Sequence, residues 1–158
     1  MTDQKTLQTR KPSFADQPHA YDPVTQPQLF AGLIGKRSMA FIVDFVIIIG
    51  LVFLLGIITL GLAWVLLPAI LLVFLAYNAL TIGGPKSATL GQRLMGLEVR
   101  MWFGGKVSPL LAAFHALLFW FSAGTFVLWL VTVLWAFFDS RKRCLHDILA
   151  GVVVVNRP

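Results

Sequence analysis

Residues Met39 to Ile58 read MAFIVDFVIIIGLVFLLGII, twenty residues carrying a single charge. At 1.5 Å rise per residue such a helix covers the roughly 30 Å hydrocarbon layer of a bilayer, so the stretch predicts a transmembrane helix. Lys36 and Arg37 stand just before it. After the uncharged connector Thr59 to Leu62 (TLGL) comes AWVLLPAILLVFLAYNALTI, Ala63 to Ile82, long enough for a second span. Pro68 falls near its start, where a missing N–H does least harm, and a mild kink is the most it implies. The two spans make a helical hairpin.

Beyond Gly83 and Gly84 the texture changes. PKSATLGQRLMGLEVRMWFGGKVS brings Lys86, Arg93, Arg100 and Lys106 against Glu98 alone. Basic residues before the first span and after the second put both on the cytoplasmic side and TLGL outside. A third apolar tract, Pro109 to Phe138, runs straight into Arg141, Lys142 and Arg143. One tilted helix of about 45 Å would leave that cluster outside, whereas a break near Ser122-Ala123-Gly124 returns it to the cytoplasm. The break is the preferred reading. Each half, at about fifteen residues, then suits either a thin span or a re-entrant or interfacial pair.

Two short runs, Leu97 to Met101 (LEVRM) and Val152 to Val155 (VVVV), have strand character, and an unpaired β segment needs an edge. They are expected to pair with each other, although VVVV also suits an interfacial stretch. The fold class is thus all-α integral membrane: a helical hairpin plus a broken or re-entrant third apolar segment, with a short cytoplasmic β-like element.

Composition agrees. The chain has 158 residues, 58% of them apolar and 13% charged, with a mean hydropathy of +0.80. A soluble domain carries about a quarter charged residues. A secreted disulfide scaffold and an ordinary cytosolic enzyme are excluded, and the lone Cys144 closes no intramolecular disulfide. The net charge of +6 would suggest nucleic acid in a soluble protein. In residues 1–30, however, Lys5, Arg10 and Lys11 offset Asp3, Asp16 and Asp22, so the surplus belongs to the membrane part and to anionic headgroups. Lipid, not nucleic acid, is the expected partner. The same thirty residues carry Pro12, Pro18, Pro23 and Pro27 among polar side chains, read as a disordered cytoplasmic tail without a signal-peptide core. Both termini are expected in the cytoplasm.

Asp44 is the sharpest single signal, because it lies about 9 Å inside the apolar stretch, where an ionised side chain is costly. It is either a structural polar anchor or an ion or proton site. Arg37 is two turns earlier on the same face, roughly 10 Å away and too far for a direct bond. A cation from another element is the expected partner of Asp44, with Arg93 the first candidate, and Arg37 is free to snorkel to phosphate. Tyr77, Asn78 and His115 are further polar groups at membrane depth, explained by interhelical hydrogen bonds, with proton relay the sharper alternative for His115. Trp64, Trp102, Trp120, Trp129 and Trp135 partly suit an interfacial belt. CLHDILAG gathers Cys144, His146 and Asp147, but a metal reading fails on number and spacing, since a zinc site needs three or four convergent ligands and the remaining His19 lies in the tail. Asp147 is read instead as a helix cap or a partner of the basic loop. No nucleophile and base pair, phosphate loop or cofactor fingerprint appears, so neither enzymatic activity nor a cofactor is expected.

Three segments in order, GKRSMAFIVDF (Gly35 to Phe45), TLGQRLMGLEV (Thr89 to Val99) and FFDSRKRCLHDILAGVVVV (Phe137 to Val155), resemble the RDD family of membrane proteins from about Phe30 onward. The family's arginine and two aspartates map onto Arg37, Asp44 and, through LHD-x-L-A-G, Asp147. The sequence departs at His115, where many relatives carry arginine, and at Val152, where they carry threonine. The resemblance implies an RDD-like transmembrane domain over 31–158, multi-pass in the cell membrane. Its activity would be undefined: transport, including cation/proton exchange in some members, or an accessory or assembly role in a membrane complex. A homo-oligomer would supply the helices that one short chain lacks for a pathway.

Overall fold

The computed structural model describes residues 19–65 and 67–157. Helix α1 runs Leu33–Ile58, six residues earlier than the apolar stretch. Nothing between Leu33 and Met39 opposes a helix, and the early start has partners: Lys36 Nζ donates to Asn156 Oδ1 at 2.7 Å. Thr59 Oγ1 closes the far end by donating to the Leu55 carbonyl at 2.8 Å. The connector turns through Leu60 (φ 53°) and Gly61 (φ 90°).

In the expected second span, Ala63 to Ile82, the described residues are helical over Leu62–Val65 (α2) and Leu67–Ile82 (α3). Trp64 folds back on α1, donating Nε1–H to the Val52 carbonyl at 3.2 Å and stacking on Phe53 at 5.7 Å. Gly56 makes room, since a Cβ there would overlap the Trp64 ring. Tyr77 on α3 meets Asp44, as Trp64 meets Val52, so the chain returns antiparallel to α1 as a hairpin.

Thr89 opens α4 (Leu90–Leu94) with a capping box, its hydroxyl accepting from Gln92 N–H and its own N–H donating to Gln92 Oε1. Strand β1 (Leu97–Met101) follows, then α5 (Pro109–Ala123), which starts with Pro109 behind the N-cap Ser108. The third apolar tract breaks where expected. Helix α6 (Phe126–Phe138) leaves α5 at 120° across Gly124 and Thr125. Asp139 then ties down the basic turn through a salt bridge to Arg143 at 3.0 Å, and α7 (Leu145–Leu149) leads through Gly151 (φ 65°) into β2 (Val152–Asn156).

The two strand-like runs do pair, antiparallel, with Leu97 opposite Asn156 and Met101 opposite Val152. Leu97, Val99, Val152 and Val154 sit in the core with Leu33, Ala40, Ile82 and Ala112, so the sheet closes over the ends of α1, α3 and α5. Residues 1–18 of the expected tail lie outside the described residues. Residues 19–30 are held to the body: Ala20 N–H donates to the Trp102 carbonyl at 3.0 Å and Arg141 Nε to the Tyr21 carbonyl at 3.0 Å.

The apolar surface points the other way. Phe41, Ile42, Phe45, Val46, Ile49, Phe53 and Ile57 on α1 are exposed, as are Phe126, Val127, Val131 and Phe138 on α6. Helix α1 is long and apolar enough to cross a membrane, and only 11% of its most apolar window is buried; α5 with α6 passes the same test only as a bent pair.

Candidate functional site

Arg37 with Asp147, and Asp44, anchor two clusters along α1, about two turns apart. The first is built on Asp147, which is completely buried. Its place at the third position of α7 lets Oδ2 accept the Cys144 N–H at 2.8 Å, a capping interaction at the start of that short helix. Arg37 reaches the same oxygen at 2.6 Å and also donates to the Lys142 carbonyl at 3.2 Å and to Cys144 Sγ at 3.4 Å. Oδ1 receives His115 Nε2–H from α5 at 2.8 Å, and His146 Nε2 lies 3.4 Å away. Asp147 is therefore a helix cap as expected, but its cation is Arg37 of α1 and not a residue of the basic loop. Arg37 does not snorkel.

Burial alone would raise the Asp147 pKa, yet Arg37 and the two imidazoles beside it hold its carboxyl well below the usual carboxylate range. Burial pushes His146 the opposite way, down to about 4 against the pull of Asp147, so its ring is neutral. Burial also lifts the Cys144 thiol to about 11, with the adjacent Arg37 opposing. The thiol is not a nucleophile at neutral pH.

The second cluster surrounds Asp44. Its Oδ1 accepts the Tyr77 hydroxyl at 2.6 Å and the Gly91 N–H at 2.7 Å, and its Oδ2 accepts the Thr89 hydroxyl at 2.6 Å. Tyr77 in turn accepts the Leu90 N–H at 3.1 Å. The carboxylate thus faces the opening of α4, whose first N–H groups lack intrahelical partners. Gly91 is required for the approach, since a Cβ there would overlap the Ala40 carbonyl and crowd the Asp44 carboxylate.

Arg93 is not the partner of Asp44. Its Nε donates to the Ala88 carbonyl at 2.9 Å and its Nη2 to the Thr81 carbonyl at 3.3 Å. Arg93 lies past the opening of α4 and turns to the Ala88 carbonyl, just before that helix, and to the Thr81 carbonyl at the end of α3, where a cation is favoured. Among the described residues no salt bridge reaches Asp44. Asn78, the third polar group of α3, bonds within its own helix, to the Phe74 carbonyl at 2.9 Å.

Sequence reasoning missed the convergence of His115, from α5, on Asp147. His115, His146 and Asp147 bring three ligand atoms within 4.8 Å of one another, all from buried residues. It also missed Thr89 and Gly91, although the Thr89-x-x-Gln92 capping box was visible in the string.

The RDD family model matches residues 31–151. No curated protein and no solved structure matches the chain.

Proposed function

The chain belongs to the RDD family, a membrane-associated family of undefined function, and on that premise we propose that it is a multi-pass membrane protein that exchanges a cation or proton at Asp44. The observation that carries this is the donor set around Asp44: two hydroxyls and one backbone N–H, all neutral. A carboxylate in an apolar helix with no salt bridge among the described residues favours taking up a proton or a metal cation, and hydroxyl oxygens of the Tyr77 and Thr89 type are hard ligands. Asp147, by contrast, already faces the Arg37 guanidinium at 2.6 Å. The exposed apolar faces of α1 and α6 then meet lipid, and the end bearing the sheet, α4 and α7 meets the cytoplasm.

A second reading rests on the same bonds. The donors to Asp44 come from α3, Thr89 and α4, so they also clamp the hairpin to the loop, as an accessory or assembly protein would need. Flux separates the two. In proteoliposomes with imposed sodium and proton gradients, the wild-type protein is expected to carry flux. Asp44→Asn, which keeps the shape but not the charge, should abolish it while still eluting as a folded species on gel filtration. Wild-type vesicles silent at every pH from about 6 to 9 would reject exchange. Loss of a native-membrane partner on the same substitution would then support the scaffold.

A further inference from the structure

The first cluster has a property that the exchange reading does not use. His146 is 6% exposed, yet its Nδ1 has no hydrogen-bond partner and its Nε2 stands 3.4 Å from the nearest carboxylate oxygen, beyond a normal N–H···O bond. A buried polar ring with neither nitrogen bonded is rare, and an ion is one of the standard reasons for it. The nitrogen nearer the cluster points at Asp147 Oδ1, which His115 Nε2 approaches from α5.

The separations are those of ligands around a metal. With bonds of about 2.0–2.2 Å from imidazole nitrogen and carboxylate oxygen, neighbouring ligand atoms lie about 3.0–3.4 Å apart in octahedral and tetrahedral shells. Here Oδ1 is 2.8 Å from His115 Nε2 and 3.4 Å from His146 Nε2, with the third separation inside 4.8 Å. The two imidazoles, 5.1 Å apart between ring centroids and inclined at 43°, need only close slightly on a shared ion.

We propose that His115, His146 and Asp147 bind one divalent transition-metal ion of the zinc or ferrous-iron class. Two imidazoles and one carboxylate suit that class rather than magnesium or calcium, whose ligands are oxygens. Three protein ligands leave a position open for water, which distinguishes the site from a closed structural zinc site. The outer support is in place: Arg37 and the Cys144 N–H hold Oδ2 and so aim Oδ1 at the ion. On binding, the His115 Nε2–H bond to Oδ1 is replaced by coordination, and that imidazole carries its proton on Nδ1. The guanidinium keeps the net charge positive, so the site favours an exchangeable ion over a locked one. The site is distinct from the hydroxyl and backbone N–H surroundings of Asp44, and its test does not depend on flux.

The test uses the full chain purified without affinity histidines, in detergent, titrated separately with Co2+ and Zn2+. One metal ion per chain is expected after gel filtration, with visible cobalt absorption typical of nitrogen and oxygen ligation. His115→Ala and His146→Ala keep the Arg37 and Asp147 pair, and each should weaken binding at least tenfold. His19→Ala, which removes the chain's remaining histidine, should leave binding unchanged. Wild-type protein that binds no stoichiometric cobalt or zinc, or binding that survives both cluster substitutions or is lost with His19, would overturn the proposal.

Discussion

Arg37→Gln should be the most damaging single polar substitution in the chain. The substitution removes a guanidinium that sits 2.6 Å from Asp147 Oδ2 and also holds the Lys142 carbonyl and Cys144 Sγ. Asp147 is left at zero exposure with His115 and one backbone N–H for company. Removing one partner of a buried pair costs about 3–5 kcal/mol because an uncompensated charge stays behind. That is a large part of the 5–15 kcal/mol typical of a folded domain. At about 2–4 °C per kcal/mol for a chain of this size, the apparent melting midpoint in detergent should fall by about 6–20 °C. Replacing both partners by apolar residues, Arg37→Met with Asp147→Leu, should recover much of the loss, since the buried charge goes with its counter-ion. The assay is a thermal ramp followed by gel filtration, read for Arg37→Gln, for Arg37→Met and Asp147→Leu singly, and for the double. A midpoint within about 3 °C of wild type for Arg37→Gln, or strict additivity in the double variant, would refute the pairing as an energetic unit.

Gly91→Ala should destabilise by about 1–3 kcal/mol, because the new Cβ drives α4 off the Ala40 carbonyl and pulls Gly91 N–H from Asp44; the same ramp checks it, with Gly96→Ala, which meets nothing within 4 Å but has φ 67°, as a strain-only comparison. With a pKa lifted to about 11, Cys144 holds about one part in a thousand as thiolate at pH 8. Maleimide should therefore label the folded protein slowly and the unfolded protein fast, and rapid labelling of the native state would contradict the packing. In a Cys144→Ser background, Thr25→Cys and Arg157→Cys, both exposed, should react from the cytoplasmic side, while Leu60→Cys, at 97% exposure, should react from the opposite side. Labelling of positions 25 and 157 from different sides would refute the topology.

Much of the fold was legible because its cues are local or cumulative. A run of twenty apolar residues needs no partner to be recognised, and the basic cluster at Arg141 to Arg143 argued for the bend that α5 and α6 make. The pairing of LEVRM with VVVV followed from both strands needing an edge. What stayed hidden depends on the third dimension. Arg37 and Asp147 lie on α1 and α7, and no periodicity links them. Arg93 looked like the counter-ion of Asp44 because charge was counted, whereas the first turn of α4 offered backbone and hydroxyl donors that no charge count includes. His115 was weighed alone, since its partners arrive from α7.

The union of Arg37 with Asp147 also orders events in time. Arg37 leaves the ribosome more than one hundred residues before the turn that holds Lys142 and Cys144. Until α6 has bent back and α7 has formed, the arginine waits at the mouth of its helix with water or phosphate as a temporary companion. The pair can therefore close only after almost the whole chain has been made, and its closure marks the meeting of α1 with α7.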